Sequence, residues 1–147
     1  MQWVLKHFDE LSSKEVYAIL ALRNEVFVVE QTCYYLDIDG NDQDAYHIFA
    51  RENEEIIAYA RILKKGVTYS NASIGRVVVR KEYRKQKIAS EIMKRALHFI
   101  KEELGESVVT IGAQAHLLDF YGNFGFKPIS EVYLEDDIPH IDMTCKM

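Results

Sequence analysis

Hydrophobic residues recur along this chain with two different periods, and the order of these periods predicts the secondary structure. Residues 2–8 predict a short opening strand. Ser12 and Glu15 have the spacing of a helix capping box, and the apolar residues after them recur at helical intervals as far as Phe27. Residues 37–44 are turn formers, which separate this helical segment from the strands that follow.

The middle of the chain predicts three strands and one long helix. Residues 47–51 and 56–63 flank a Glu-Asn-Glu-Glu segment and are typical of a hairpin, and residues 73–80 predict another strand. From Lys87 to Leu104 the apolar residues keep a 3.6-residue period, and Gly105 stands where a left-handed helix end belongs.

The last third predicts a strand at 108–113, a short helix at 116–124 that ends at Gly125, and extended structure at 129–134. Apolar and polar residues alternate strictly from 141 to 147, as in a half-solvated antiparallel strand. The whole pattern predicts one domain, residues 1–147, of the α/β (α+β) class. We expect a mixed, mostly antiparallel sheet with helices on both faces.

Composition supports a folded protein and excludes several classes. Of the 147 residues, 48% are hydrophobic and 28% charged, and the mean hydropathy is −0.17. No apolar run approaches the roughly 20 residues that span a bilayer, and the first residues do not begin a signal peptide. Cys33 and Cys145 are too few for a disulfide framework and lack metal-site spacing, so we expect reduced thiols in a cytoplasmic protein.

Residues 80–87 form a basic turn in an acidic chain. Five cationic residues in this segment face the single Glu82, a local charge of +4, whereas the whole chain carries −5. Such a turn at a helix N-terminus favours anions, because free N–H groups and the positive end of the helix dipole converge there. A diphosphate would fit, and a solvated basic turn accounts for these residues equally well. The acidic total argues against a nucleic-acid-binding module.

A tyrosine near the carboxyl ends of the predicted strands is the second candidate. Residues 121–126 close the short helix and place the phenol of Tyr121 near the carboxyl ends of adjacent strands, where open α/β sheets bind ligands. The alternative is a core tyrosine packed beside Phe120, Phe124 and Phe126.

Taken together, these segments resemble the GCN5-related N-acetyltransferase (GNAT) superfamily over nearly the whole chain. The resemblance rests on Val77-Val78-Val79, on the loop from Arg84 to Ala89, and on the later Tyr-x-x-x-Gly-Phe of residues 121–126. Two longer segments, residues 23–31 and 133–140, look like the ElaA branch of that superfamily.

The resemblance implies a fourth strand, bulged at 77–79, that is splayed from the fifth strand at 108–113. It also implies acetyl-coenzyme A (acetyl-CoA) as co-substrate, with its pantetheine arm on the backbone of Val77 and Val79. N–H groups near Val78 would stabilise the oxyanion, the amides of residues 85–89 would bind the diphosphate, and Tyr121 would be the general acid. The residues expected to bind the coenzyme are Val77, Val78, Val79, Arg84, Lys85, Gln86, Lys87, Ile88, Ala89, Ser90, Gln114 and Phe124.

One position departs from the superfamily pattern Gln/Arg-x-x-Gly-x-Gly/Ala. Lys87 stands where the central glycine lets the backbone approach the diphosphate closely. Lys87 either turns outward and adds a charge to the phosphates, or widens the loop and weakens coenzyme binding.

The candidate residues in the segments expected to border the acceptor end are predominantly acidic, which favours a cationic amine over an acidic substrate. The acceptor-side candidates are Glu30, Gln31, Asp37, Asp39, His116, Glu135 and His140. Most have a structural alternative. Glu30 and Gln31 are also typical of a polar pair at a helix end. His116 would cap a helix or contact pantetheine. His140 would either make a structural hydrogen bond or take part in catalysis.

The aspartates around Gly40 predict a turn rather than a metal site. Asp39, Asp42 and Asp44 do not follow the calcium-loop pattern, because the glycine is misplaced and Ile48 occupies the position that requires Glu.

These observations favour an enzyme that transfers the acetyl group of acetyl-CoA to a primary amine, directly within a ternary complex. The acceptor would be a small molecule or a peptide. The alternative is a coenzyme-binding protein without transfer activity, for which Lys87 and the lack of one decisive base are the reasons. We expect no nucleic-acid, membrane or metal partner, and homodimer formation stays open.

Overall fold

A computed structural model describes all 147 residues and contains eight strands and three α-helices. The strands are β1 (Gln2–His7), β2 (Tyr46–Glu52), β3 (Glu55–Leu63), β4 (Ser73–Val79), β5 (Val108–Gln114), β6 (Lys127–Pro128), β7 (Tyr133–Glu135) and β8 (Ile138–Lys146). The helices are α1 (Ser13–Arg23), α2 (Ile88–Glu102) and α3 (Leu118–Gly122), and a π-helical segment, Asn24–Glu30, continues α1. None of the helices has the length and apolar content needed to cross a membrane.

The strands form two four-stranded sheets that meet at β4 and β5. β1, β2, β3 and β4 follow one another as antiparallel neighbours, while β8 pairs with β5, β6 and β7. One parallel bridge joins Ala72, the residue before β4, to Val109 of β5, and there the Thr110 N–H donates to the Ala72 carbonyl at 2.9 Å. No further ladder joins these two strands, so the predicted splay between the fourth and fifth strands is confirmed.

Helices cover both faces of the sheet, as the apolar pattern predicts. α2 packs on a large core that includes Ala58 and Ala60 of β3, and α1 packs on a smaller core that includes Tyr59 and Val78. Successive side chains of a strand point to opposite faces, so β3 supplies both cores. The apolar tail follows the same rule, since Ile141 of β8 lies in the α2 core.

α1 begins as predicted and continues in a way that the apolar period does not predict. The Glu15 N–H donates to Ser12 Oγ at 3.1 Å, and the Ser12 N–H donates to the Glu15 carboxylate at 2.8 Å, which confirms the capping box. Past Arg23 the turns widen to π-helix, in which the Gln31 N–H donates to the Val26 carbonyl at 3.1 Å. This wider segment keeps Val26 buried and ends at the candidate site described below.

The extended segment predicted at 129–134 forms only in part. β6 precedes it and β7 overlaps its end, but residues 129–132 are not a strand. The Ile129 N–H donates to the Asp142 carbonyl at 2.9 Å, whereas the Asp142 N–H donates to Ser130 Oγ at 2.9 Å. A side-chain acceptor thus replaces the backbone ladder at this point of β8.

Candidate active site

A cleft of about 850 Å³ opens where β4 and β5 separate. Both strands, the end of the π-helical segment and the β7–β8 hairpin form its walls. Ten residues that the sequence singles out line it: Val77, Val78, Val79, Arg84, Gln114, Tyr121, Glu30, Gln31, His116 and His140. Asp39 and Glu135 line it as well, whereas Asp37, Phe124 and residues 85–90 lie outside its lining.

The β4 wall of the cleft is bulged. Tyr59 of β3 lies opposite Val78, but Arg61 lies opposite Gly75, so residues 76–77 together face a single residue of β3. Arg76 has a φ of +54°, a left-handed conformation that is rare for residues other than glycine. The bulge therefore lies at the start of the 77–79 segment in which the family resemblance implies one.

An acidic loop holds the bulge residue in place. The Arg76 guanidinium lies 2.8 Å from the Asp37 carboxylate, and it donates to the Asp37 carbonyl at 3.1 Å and to Asp39 at 3.3 Å. It also lies over the Tyr35 ring, 5.7 Å from the ring centre. These interactions offset the unfavourable φ of Arg76 and connect the β4 wall to residues 37–42.

The aspartates of this loop form a buried network with two more arginines. Arg23 is fully buried and contacts Asp37 at 2.9 Å and Asp42 at 2.7 Å, while Arg61 contacts Asp39 at 2.8 Å and Asp42 at 3.0 Å. Burial alone would raise the pKa of Asp39 and Asp42, but the arginine partners hold the pKa of both carboxyls below the usual range.

The turn predicted at 37–44 is correct for the backbone, which forms neither helix nor strand, but the prediction misses this network. Its arginines come from α1, β3 and β4 and meet the loop only in the folded chain. Arg61 inside an otherwise apolar strand is the one signal in the sequence, because a buried cation requires partners.

His47 and Tyr59 extend the network into the core. His47 Nε2 lies 2.9 Å from the Asp42 carbonyl, and His47 Nδ1 lies 2.6 Å from the Tyr59 hydroxyl. A carbonyl only accepts, so Nε2 carries the proton and Nδ1 accepts from Tyr59. Burial, with the nearby Arg23 and Arg61 charges, lowers the pKa of His47, which therefore stays neutral.

The loop between β4 and α2 presents a row of backbone donors. The N–H groups of residues 85–90 donate to no backbone carbonyl, and no side chain caps α2. Lys85 and Lys87 have φ values of +67° and +61°, so Lys87 keeps the left-handed backbone that the motif glycine favours. The Lys87 side chain is exposed, which leaves these amides accessible to an anion.

Two of the five cations in the basic turn already have partners. Arg80 pairs with two glutamates at 2.7 and 3.0 Å. Arg84 donates to Glu30 at 2.7 and 3.0 Å and lowers the pKa of that carboxyl. The unpaired positive charge of the loop therefore comes from three exposed lysines: Lys81, Lys85 and Lys87.

Tyr121 lies in the α2 core and borders the cleft. It is 8% exposed, and its ring packs edge-on against Phe120 and Phe126. Burial raises the pKa of Tyr121 to about 12. The predicted alternatives therefore coincide, because this residue is a core tyrosine and also part of the cleft wall.

The acceptor-side candidates differ in their exposure and in the ion-pair or hydrogen-bond partners that they already have. Arginines already pair with Glu30, Asp37 and Asp39, as described above. His116 is exposed and caps no helix, and Gln31 ends the π-helical segment. The His140 side chain is 13% exposed and has a hydrogen-bond partner at one ring nitrogen, Nδ1.

The chain matches the family model described as acetyltransferase (GNAT) domain over residues 9–147. Protein ElaA of Escherichia coli strain K12 is 46% identical over 146 residues, which are 98% of this chain and 95% of ElaA. The crystal structure of E. coli ElaA matches with a TM-score of 0.92 at 45% identity, covering 99% of this chain and 100% of that chain.

Two further solved structures share the fold. An acyl-CoA N-acyltransferase from Pseudomonas aeruginosa matches with a TM-score of 0.93 at 42% identity, covering 99% of both chains. A GNAT family acetyltransferase from Elizabethkingia anophelis with acetyl-CoA bound matches with a TM-score of 0.65 at 15% identity, covering 99% of this chain and 98% of that one. The splayed sheet and the family match thus agree: this chain belongs to the GNAT acetyltransferase family and, within it, to the ElaA-like branch.

Proposed function

We propose that this protein transfers the acetyl group of acetyl-CoA to a primary amine, directly within a ternary complex. The observation that carries the proposal is the row of free N–H groups at residues 85–90, next to a cleft that Tyr121 borders. Acetyl-CoA has a diphosphate far from its thioester. A ligand anchored by its diphosphate at the loop would reach into the cleft with its reactive end.

The loop has the properties that a diphosphate requires. Its N–H groups lie at the N-terminus of α2, where the helix dipole favours negative charge, and the exposed Lys81, Lys85 and Lys87 add positive charge. The left-handed Lys87 supports coenzyme binding, since the backbone follows a glycine-like path without a glycine. The fold shared with the acetyl-CoA-bound protein from E. anophelis is consistent with this proposal.

Tyr121 is the residue that we propose to assist departure of the thiolate. With a pKa of about 12 its hydroxyl stays protonated at neutral pH. A thiol titrates near 8.5, so full proton transfer from this phenol to the thiolate would be uphill by roughly 5 kcal/mol. We therefore propose that Tyr121 stabilises the developing negative charge on sulfur by donating a hydrogen bond. Backbone N–H groups at the bulge, near Val78, are the proposed donors to the oxyanion.

The acceptor is proposed to be a cationic amine on a small molecule or a peptide. Since Glu30 and Asp39 are paired with arginines, the unpaired negative charge at this end of the cleft comes from Glu135 and Asp136 of the β7–β8 hairpin. Carboxylates at a cleft mouth attract positively charged acceptors and repel acidic ones.

Calorimetry with acetyl-CoA tests the coenzyme site. Ala89→Trp places an indole against the loop amides, so we expect affinity to fall at least about tenfold. Lys101→Trp adds the same side chain on the far, exposed part of α2 and should bind like wild type. Equal affinity of wild type and Ala89→Trp would place the coenzyme elsewhere.

Transfer assays test the reaction itself. Wild type is incubated with acetyl-CoA and a panel of polyamines, amino acids and lysine-containing peptides, and free thiol and acetylated amine are both measured. We expect turnover with cationic acceptors. Tight coenzyme binding without turnover on every acceptor would instead favour a coenzyme-binding protein.

A further inference from the structure

We propose that His140 is the catalytic base that takes the proton from the acceptor amine. The inference rests on the proposed function and assigns a residue to the one step for which the cleft offers several candidates. It is carried by the orientation of the imidazole ring, by its place on the cleft wall, and by the arginine partners that Glu30 and Asp39 already hold.

The protein fixes which nitrogen of His140 can act as a base. His140 Nδ1 lies 2.7 Å from the Ile138 carbonyl, which accepts a hydrogen bond and cannot donate one. Nδ1 must therefore carry the proton in the neutral ring, which leaves the lone pair on Nε2. A backbone partner that holds one nitrogen in this way defines the tautomer and the direction of a catalytic imidazole.

The ring is also held from its sides. It stacks on Tyr133, with ring centres 6.1 Å apart and planes 23° from parallel. The Tyr133 hydroxyl donates to Asp142 at 2.7 Å, and Tyr69 from the β3–β4 loop donates to the same carboxylate oxygen at 3.0 Å. The β3–β4 loop and β7 thus share one carboxylate, which fixes the Tyr133 ring that supports His140.

His140 and Tyr121 border the cleft from opposite faces of the sheet. Ile141 points into the α2 core, which also contains Tyr121, so its neighbour His140 points to the other face. Both residues line the one opening between β4 and β5. In the tetrahedral intermediate the amine nitrogen and the sulfur are two different substituents of one carbon, so a base on one wall and a hydrogen-bond donor on another can each reach its own atom.

Carboxylates are the charged groups that lie nearest to His140. Glu135 Oε2 lies 3.7 Å from Nε2 across the hairpin. The Asp142 carboxylate, on the same face of β8, is held by the two tyrosines. The cleft arginines Arg61 and Arg76 are each paired with aspartates.

Two other carboxylates and one other histidine of the cleft lining are less suited to the step. Glu30 is bound by Arg84 through two hydrogen bonds, and Asp39 by Arg61 through two more. A carboxylate held in this way has little tendency to accept a proton. His116 lines the cleft, but it is exposed and no hydrogen bond orients its ring.

Acetyl transfer begins when the amine attacks the thioester. The amine nitrogen forms a bond to the thioester carbon, and His140 Nε2 takes the amine proton as the positive charge on nitrogen develops. The C–S bond then breaks, and Tyr121 donates its hydrogen bond to the departing sulfur. The thiolate then takes a proton from solvent, and the imidazolium returns its proton to water, so Tyr121 keeps its own proton throughout.

His140→Gln tests this assignment with the acceptor of the panel that wild type turns over fastest. We expect kcat/KM to fall about a hundredfold or more, as for loss of a general base, with acetyl-CoA affinity unchanged. On the acidic side of the pH profile, kcat/KM of wild type should depend on two protonations. That of His140→Gln should depend on one, because only the acceptor amine then still has to lose a proton. His98→Gln removes an exposed imidazole of α2, outside the cleft, and should behave as wild type.

A rescue experiment separates chemistry from folding. His140→Ala leaves space on the cleft wall, and added imidazole should restore turnover at least about tenfold, an effect that a merely destabilised protein would not show. Full activity with an unchanged pH profile in His140→Gln, or no rescue of His140→Ala, would overturn the role of His140 and leave the proposed function intact. Failure of wild type to acetylate any amine would overturn both the proposed function and the role of His140.

Discussion

Several residues other than glycine occupy left-handed backbone positions, and five of them lie in the cleft wall or in the segments next to it. They are Arg76 at the bulge, Lys85 and Lys87 in the loop before α2, and Asp136 and Asp137 in the β7–β8 turn. Each such residue costs about 1 kcal/mol relative to a relaxed conformation. Strain of this kind persists where surrounding contacts hold the backbone in the unfavourable conformation, as the ion pairs of Arg76 do. The turn at 53–54 has the same geometry but lies outside the cleft lining.

Glu54→Gly is expected to stabilise the protein. Glu52 and Glu55 are paired across the β2–β3 hairpin, so Asn53 and Glu54 form a two-residue turn with φ values of +50° and +70°. Asn-Gly is the preferred sequence for such a turn, so the free energy of unfolding should rise by about 1 kcal/mol. Glu54→Ala removes the same charge but keeps a Cβ. In urea unfolding, an equal gain for both variants would mean that charge, and not backbone strain, is the cause.

Tyr121→Phe isolates the hydroxyl at the cleft wall. The ring packing against Phe120 and Phe126 is retained, so we expect acetyl-CoA affinity within about twofold of wild type and a kcat lower by roughly ten- to a thousandfold. Tyr17→Phe, at a tyrosine that is 79% exposed on α1, is the matched control. Calorimetry and steady-state kinetics measure the two quantities. An unchanged kcat in Tyr121→Phe would assign hydrogen bonding at sulfur to water or another group.

At the scale of elements, β4 depends on the acidic loop through Arg76. Arg76→Met removes the ion pair with Asp37 and both hydrogen bonds, while a left-handed φ at this position stays unfavourable. Asp37 keeps Arg23 as a partner, so we expect a loss of about 1–2 kcal/mol in unfolding free energy rather than the larger cost of an orphaned buried charge.

The same variant should also weaken coenzyme binding severalfold, because the bulge shapes the cleft wall. Lys65→Met breaks an exposed pair with Glu106 and should change stability by less than about 0.5 kcal/mol. Thermal unfolding and calorimetry with acetyl-CoA are compared for both variants. Wild-type affinity in Arg76→Met would show that the bulge holds its shape without this arginine.

Elements whose shape follows from local periodicity could be predicted from the sequence. α2, the β2–β3 hairpin and β8 are examples, since the apolar period identifies each one. Features made by tertiary contacts could not be predicted. The partners of Asp37 and Asp42 lie up to 39 positions away, and the π-helical segment depends on how Val26 packs.

In the candidate site, too, the local features could be predicted from the sequence and the tertiary contacts could not. The loop at 84–89 and Tyr121 follow from short motifs, because backbone donors and one phenol are local features. The pairing of Arg84 with Glu30 is a tertiary contact that joins a residue expected at the coenzyme to one expected at the acceptor. Nothing in the spacing of these two residues along the chain indicates that they meet.

At the scale of the whole molecule, one backbone bridge joins the two sheets, so side chains hold them together. The α2 core supplies apolar contacts from both sheets, including Ala60 of β3 and Ile111 of β5. On the other face, the buried ions of Arg23, Arg61 and the 37–42 loop connect α1 with β3 and β4. The stability of the fold should therefore depend on pH through the groups of this network.

Two pH windows are expected, and His47 governs the upper one. Burial lowers the pKa of His47, whereas the unfolded imidazole titrates near 6.5, so below that pH the unfolded chain binds a proton that the folded chain does not. The free energy of unfolding should then fall as pH drops below 6.5, by at most about 1.4 kcal/mol per pH unit. His47→Gln, which retains a donor for Asp42, should remove this dependence in urea unfolding at pH 7.0 and 5.5. Wild type and His47→Gln should both lose stability again below about pH 3.9. There Asp39 and Asp42 bind protons in the unfolded chain but stay ionised in the folded protein. Equal slopes for wild type and His47→Gln between pH 5.5 and 7.0 would mean that another group is responsible.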